Sequence, residues 1–114
     1  MKAKLHYREK FIDIDDIKVA RGLNRFIGLM FKGENYSPLL FEFKKDVGYS
    51  IHSLFCRDFL AIWLDENNKI IEFKLVNRIS FSISPKKKFR KLLEIPVNSR
   101  NSRIIEFFLL EQKN

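Results

Sequence analysis

The stretch 70-IIEFKLVNRISFSIS-84 puts Ile71, Phe73, Leu75, Ile79, Phe81 and Ile83 at odd positions and Glu72, Lys74, Arg78, Ser80, Ser82 and Ser84 at even ones. Successive side chains of an extended backbone point to opposite faces, so this alternation is a strand pattern. It predicts one long half-buried strand, or two collinear strands bent near Asn77, with the odd residues on the core. Pro85 ends it, because proline has no amide hydrogen to give to a ladder.

Further strands are expected on either side. The segment 38-PLLFEFK-44 sets Leu39, Phe41 and Phe43 on one face, and 104-IIEFFLLE-111 is apolar on nearly both faces, as a central strand would be. In 11-FIDIDDIKVA-20 the apolar positions change parity between Ile12, Ile14 and Ile17, Val19, which predicts a break or bulge at Asp15-Asp16. The run 49-YSIHSLFCRDFLAIWLD-65 reads as a strand from about Tyr49 to Phe55, a turn near Arg57-Asp58 and a strand from Phe59 to Asp65. Asn67-Asn68 in 65-DENNK-69 tolerate positive φ, so a tight hairpin turn is expected there. In 21-RGLNRFIGLMF-31, Leu23, Phe26, Ile27 and Met30 recur at helical spacing and predict one short helix.

These elements make a mainly β (α+β) domain, a small closed barrel or sandwich of antiparallel strands carrying one short helix near residues 21–31. The 114 residues form a single domain, and 46% hydrophobic residues with twelve phenylalanines provide an aromatic-rich core. A single cysteine allows no disulfide within the chain and no structural zinc set, and points to a reducing interior. The basic 1-MKAKLHYREKF-11 leads into no apolar stretch of signal-peptide length, and no run reaches the length of a membrane span. The expected setting is therefore cytoplasmic, with no membrane contact. Pairing of strands within the fold is the expectation for 104-IIEFFLL-110, and the oligomeric state is not read from the sequence.

Several stretches, taken together and in order, resemble one family. They are 19-VARGLNRFIGLMFKGE-34 with Gly28-Leu29-Met30-Phe31-Lys32 at its centre, 39-LLFEF-43, 51-IHSLF-55, 62-IWLDENNKIIE-72 and 84-SPKKKFRKLLEIP-96. They resemble the domain of unknown function 192 family (uncharacterised protein family 0127), in an archaeal-type form, over about residues 11–110. The resemblance implies a compact, mostly β domain and carries no established reaction. It departs from the family at two places. Leu60 occupies the family's acidic position before the hairpin strand, and Arg103-Ile104 stands where a Gly-Asp pair is common. His52 matches the family's Ile-His position and is the one ligand-binding candidate that the resemblance supplies.

For chemistry, His52, Cys56 and Asp58 first invite comparison with a Cys-His-Asp site. Positions four apart lie about 6 Å apart on a helix but about 13 Å apart on a strand. On the strand expected here the thiol lacks a base within reach, so no catalytic residue is assigned. Asp13, Asp15 and Asp16 lack the glycine turn and closing glutamate of a calcium loop and read as a solvated turn; no metal and no cofactor is expected. The functional reading is a non-enzymatic binding domain for a small ligand or a protein partner. The alternative is nucleic-acid binding, on a formal charge of +8 and the basic run Lys86, Lys87, Lys88, Phe89, Arg90, Lys91, joined by Arg100 and Arg103 if the intervening strand folds back. In that reading Phe89 would supply a stacking surface. A hydrolase or metal-dependent enzyme comes third.

Overall fold

The computed structural model describes residues 1–20, 36–50, 58–76 and 83–113. The helix expected over residues 21–31, residues 51–57 with His52, Cys56 and most of the Tyr49–Phe55 segment, and the half of the alternating stretch beyond Val76 up to residue 82 lie outside them. In chain order the elements are β1 (Ala3–Tyr7), β2 (Lys10–Ile14), β3 (Lys18–Val19), β4 (Leu39–Val47), β5 (Phe59–Leu64), β6 (Ile70–Val76) and β7 (Phe89–Pro96). A 3-10 turn, Ser99–Asn101, then leads into α1 (Ser102–Gln112). The domain is mainly β, with a two-stranded sheet β1-β2 and a five-stranded sheet of order β3-β4-β7-β5-β6. The larger sheet is mixed rather than purely antiparallel, because β3 runs parallel to β4. Among the described residues it stays open at β3 and β6, so the architecture is sandwich-like and not a closed barrel.

Two turns form where the residue types allow them. Asp16 takes φ +58° between β2 and β3, and this break returns Ile17 and Val19 to the same core as Ile12 and Ile14. Asn68, at φ +64°, closes the β5-β6 hairpin, while the Asp65 carboxylate accepts from the amides of Asn67 and Lys69 at 2.8 and 2.9 Å. Asparagine and aspartate adopt that backbone region at lower cost than other residues with a Cβ.

The sheet separates two apolar clusters. Leu39, Phe41, Phe59, Ala61, Trp63, Phe89 and Leu92 pack on one face, with Phe43 against them. Leu40, Leu60, Ile62, Leu64, Leu93 and Ile95 lie on the other, covered by Leu5 and Ile14 from the hairpin and by Ile105 and Phe108 from α1. All six residues of β5 are buried because it is central and covered on both sides.

Two expectations change. The run 104–111 is helical, not a central strand: Ile105, Phe108 and Glu111 are its buried positions, a spacing of three that only a helix turns to one side. The Asn98 side chain accepts from the Asn101 amide at 2.9 Å and starts the turn that precedes it. The strict odd-face alternation in β6 is also broken. Its register against β5 shifts between Trp63 and Leu64, so Phe73 packs on the hairpin side and Ile71 on the opposite one. Strand β4 ends at Val47 and Gly48 to Ser50 belong to no strand; the rest of the strand expected from about Tyr49 to Phe55 lies outside the described residues.

Candidate functional site

The β1-β2 hairpin turns on Arg8, whose φ of +56° at the first loop position is the reversal a two-residue hairpin requires. Leu5, Tyr7, Ile12 and Ile14 face inward to the core, while Phe11, paired across from His6, stands on the outer face with its ring 4.4 Å from the imidazole. Helix α1 runs beside β2. Ile105 and Phe108 are buried, while Ile104 and Phe107 pack partly against the same core and continue, with the exposed Leu110, as a second stripe at the same spacing.

Between that stripe and β2 lies an open groove of about 1110 Å³. Its apolar floor includes Ile12, Ile104 and Phe107, with Phe11 (62% exposed) and Leu110 (58% exposed) at its lips. Its charges are matched. Lys2 lies 3.9 Å from Asp15, Arg100 pairs with Asp16, Lys4 is the cross-strand partner of Asp13, and Arg103 and Glu106 sit three apart on α1. The acidic cluster of the sequence is thus a wall whose Asp15 and Asp16 carboxylates face cations, and Ser37 Oγ also donates to Asp16 at 3.5 Å.

One contact fixes the hairpin to the helix. Lys10 Nζ donates to Glu111 Oε1, the Glu111 side chain is only 4% exposed, and its Oε2 is buried without a partner among the described residues. Removing the cation leaves a buried carboxylate with neither oxygen paired. Lys10→Met is therefore expected to cost about 1–3 kcal/mol in urea unfolding, and Lys10→Met combined with Glu111→Met to recover most of it.

The basic residues of the sequence reading do not form one rim. Strand β7 does not fold back; its eight residues hold Lys86, Lys87 and Lys88 about 23 Å from the end that leads to Arg100 and Arg103. Arg90 bonds Asp46 and Glu66 at 3.3 and 3.4 Å, Lys91 Nζ donates to Asn68 Oδ1 at 2.8 Å, and Arg103 lines the groove. Phe89 is 1% exposed, edge-on to Phe43 and Trp63 within the core, so its ring offers no stacking surface. Glu94, the lone acid of that stretch, is buried between Leu39 and Ala61. His52 lies outside the described residues.

Two features were not read from the sequence. Val47 pairs with Phe89 across a bulge that leaves Phe43–Asp46 opposite Arg90, and this brings the exposed Lys44 and Lys45 to the end of the sheet that holds Lys86, Lys87 and Lys88. None of these five lysines forms an ion pair with a described residue. The groove needed α1 to be read as a helix, which a run apolar at nearly every position did not signal. No described helix is long and apolar enough to cross a membrane.

No protein-family model matches this chain, and no curated protein does. Its fold is similar to the crystal structure of a proposed transcription regulator from Sinorhizobium meliloti 1021, with TM-score 0.72 and 14% identity, covering 90% of this chain and 84% of that one. It is also similar to a protein of unknown function from Novosphingobium aromaticivorans DSM 12444, with TM-score 0.66 and 12% identity, covering 90% and 76%. At such identities the likeness shows a shared fold and nothing finer.

Proposed function

We propose that this chain is a non-enzymatic binding domain whose working surface is the groove between β2 and α1. The observation that carries this reading is the apolar stripe of Ile104, Phe107 and Leu110 facing the exposed Phe11 across open space. A concave apolar surface with a few polar groups at its rim is the form that ligand sites take. We also propose membership of the domain of unknown function 192 family. In support, 39-LLFEF-43 falls in β4, 62-IWLDENNKIIE-72 spans the β5-β6 hairpin, and 84-SPKKKFRKLLEIP-96 leads into β7. The lone Cys56 supports a reducing, cytoplasmic setting.

The reading is tested by amide shift mapping with a set of small uncharged apolar probes. Shifts at Phe11, Asp13, Ile104 and Phe107 are expected. No binding at about 1 mM probe, where even about −4 kcal/mol would register, removes it.

A second reading, polyanion or nucleic-acid binding, is favoured by the convergence of Lys44 and Lys45 with Lys86, Lys87 and Lys88, and by the description of the Sinorhizobium meliloti structure as a proposed transcription regulator. Oligonucleotide affinity across a salt series decides it. Each phosphate engaged contributes about −0.9 to the log-log slope on duplex DNA, and a slope near zero excludes this reading.

A further inference from the structure

The outer edge of β2 is unpaired among the described residues, and the register says which of its backbone groups are free. In an antiparallel pair, hydrogen-bonded and non-hydrogen-bonded residue pairs alternate. The two-residue turn makes Tyr7 and Lys10 a bonded pair, so Leu5/Ile12 and Ala3/Ile14 are bonded as well. His6/Phe11 and Lys4/Asp13 are then the non-bonded pairs. An independent contact agrees: the His6 amide donates away from β2, to the Asn68 carbonyl at 2.9 Å. The N–H and C=O groups of Phe11 and Asp13 therefore point out of the hairpin on its other side, along the edge that borders the groove.

We infer that the groove binds an extended, uncharged peptide segment of a partner protein, which adds as a strand to β2 and packs its alternate side chains against α1. This rests on the binding-domain reading and names its ligand. A strand laid on β2 satisfies the four outward groups of Phe11 and Asp13. Because its side chains alternate, one set meets Ile104, Phe107 and Leu110 while the other runs beside Phe11 and Lys4. The charge pattern selects the occupant. The chain carries +8, yet the groove is lined by four cations and four anions, of which Lys2–Asp15 and Arg100–Asp16 are ion pairs. An acidic segment gains nothing there and a basic one gains nothing either, so apolar side chains and main-chain hydrogen bonds supply the affinity.

The experiment selects from a displayed library of linear peptides of about seven residues, a length that spans the edge of β2 with one residue to spare at each end. Synthetic copies of the recovered sequences are then bound to the full chain. Uncharged sequences with alternating apolar residues are expected, and the amides of Phe11 and Asp13 should exchange at least about tenfold more slowly in the complex. Asp13→Pro removes one free edge amide without breaking any bond to β1, and Leu110→Lys places a charge on an exposed lip; each is expected to weaken binding about tenfold or more. Leu110 is exposed on the helix, so Leu110→Lys is expected to unfold at the wild-type urea midpoint and keeps the test readable even where proline in β2 lowers stability.

Recovery of no binding peptide, or equal binding by peptides N-methylated at alternate residues, overturns the inference. If small probes still shift the groove amides in that case, the binding-domain reading survives it. Protection of Phe11 and Asp13 that grows with protein concentration in the absence of peptide also overturns it, in favour of pairing between copies of the chain.

Discussion

Phe108→Ala is expected to lower stability by about 3–5 kcal/mol, while Leu110→Ala, two residues on, changes it by less than about 0.5 kcal/mol. The Phe108 ring is 1% exposed and meets Phe73 edge-on at 4.9 Å and Phe107 at 5.1 Å. Truncation loses the transfer energy of the ring and leaves a cavity between α1 and the sheet that neither can close without moving. Leu110 is 58% exposed and has little burial to lose. The contrast also separates the two structures this segment could adopt. On a strand buried on both faces, residues 108 and 110 would share a face and cost alike. Equal losses in urea unfolding would therefore return 104-IIEFFLLE-111 to the sheet. With total stabilities of about 5–15 kcal/mol for domains of this size, a loss of about 3–5 kcal/mol brings Phe108→Ala close to the limit of folding. Phe108→Leu, at about 1.5 kcal/mol or less, keeps the comparison measurable.

Phe89→Ala is expected to cost a similar amount, about 3–5 kcal/mol, whereas Lys86→Ala, Lys87→Ala and Lys88→Ala each stay within about 0.5 kcal/mol. Phe89 opens β7 opposite Val47, with Phe43 at 5.9 Å and Trp63 at 6.5 Å, and is almost wholly enclosed. A ring kept free for stacking on bases would show the reverse pattern, with little loss of stability and a large loss of oligonucleotide affinity. If the lysine end does bind nucleic acid, the alanine variants at Lys44, Lys45, Lys86, Lys87 and Lys88 should each flatten the salt slope by about 0.9, with no contribution from Phe89 beyond its effect on folding.

The comparison of these two segments shows where the sequence was legible. In 86-KKKFRK-91 an aromatic among cations was ambiguous, because burial of Phe89 depends on β4 and β5 closing over it, and both strands are distant in sequence. In 104-IIEFFLLE-111 the apolar content was plain, but a run apolar at nearly every position carries no period of its own. Its neighbours decided: β7 already fills the centre of the sheet between β4 and β5, so the next segment must cross over the hairpin core, and a helix buries Ile105 and Phe108 there. The groove followed from that choice.

What the sequence determined by itself was local. Alternation named β4; Asp16 and Asn68 supplied the backbone angles that their turns need, and composition pointed to an aromatic-rich core. What only the tertiary structure decided was which surfaces meet. The gathering of Lys44 and Lys45 with the 86–88 lysines, the separation of those from Arg100 and Arg103, and the facing of β2 by the outer stripe of α1 all come from strand pairing and crossover. Turns are set by the torsional preferences of a few adjacent residues, whereas surfaces are assembled from segments brought together only when their apolar faces leave water.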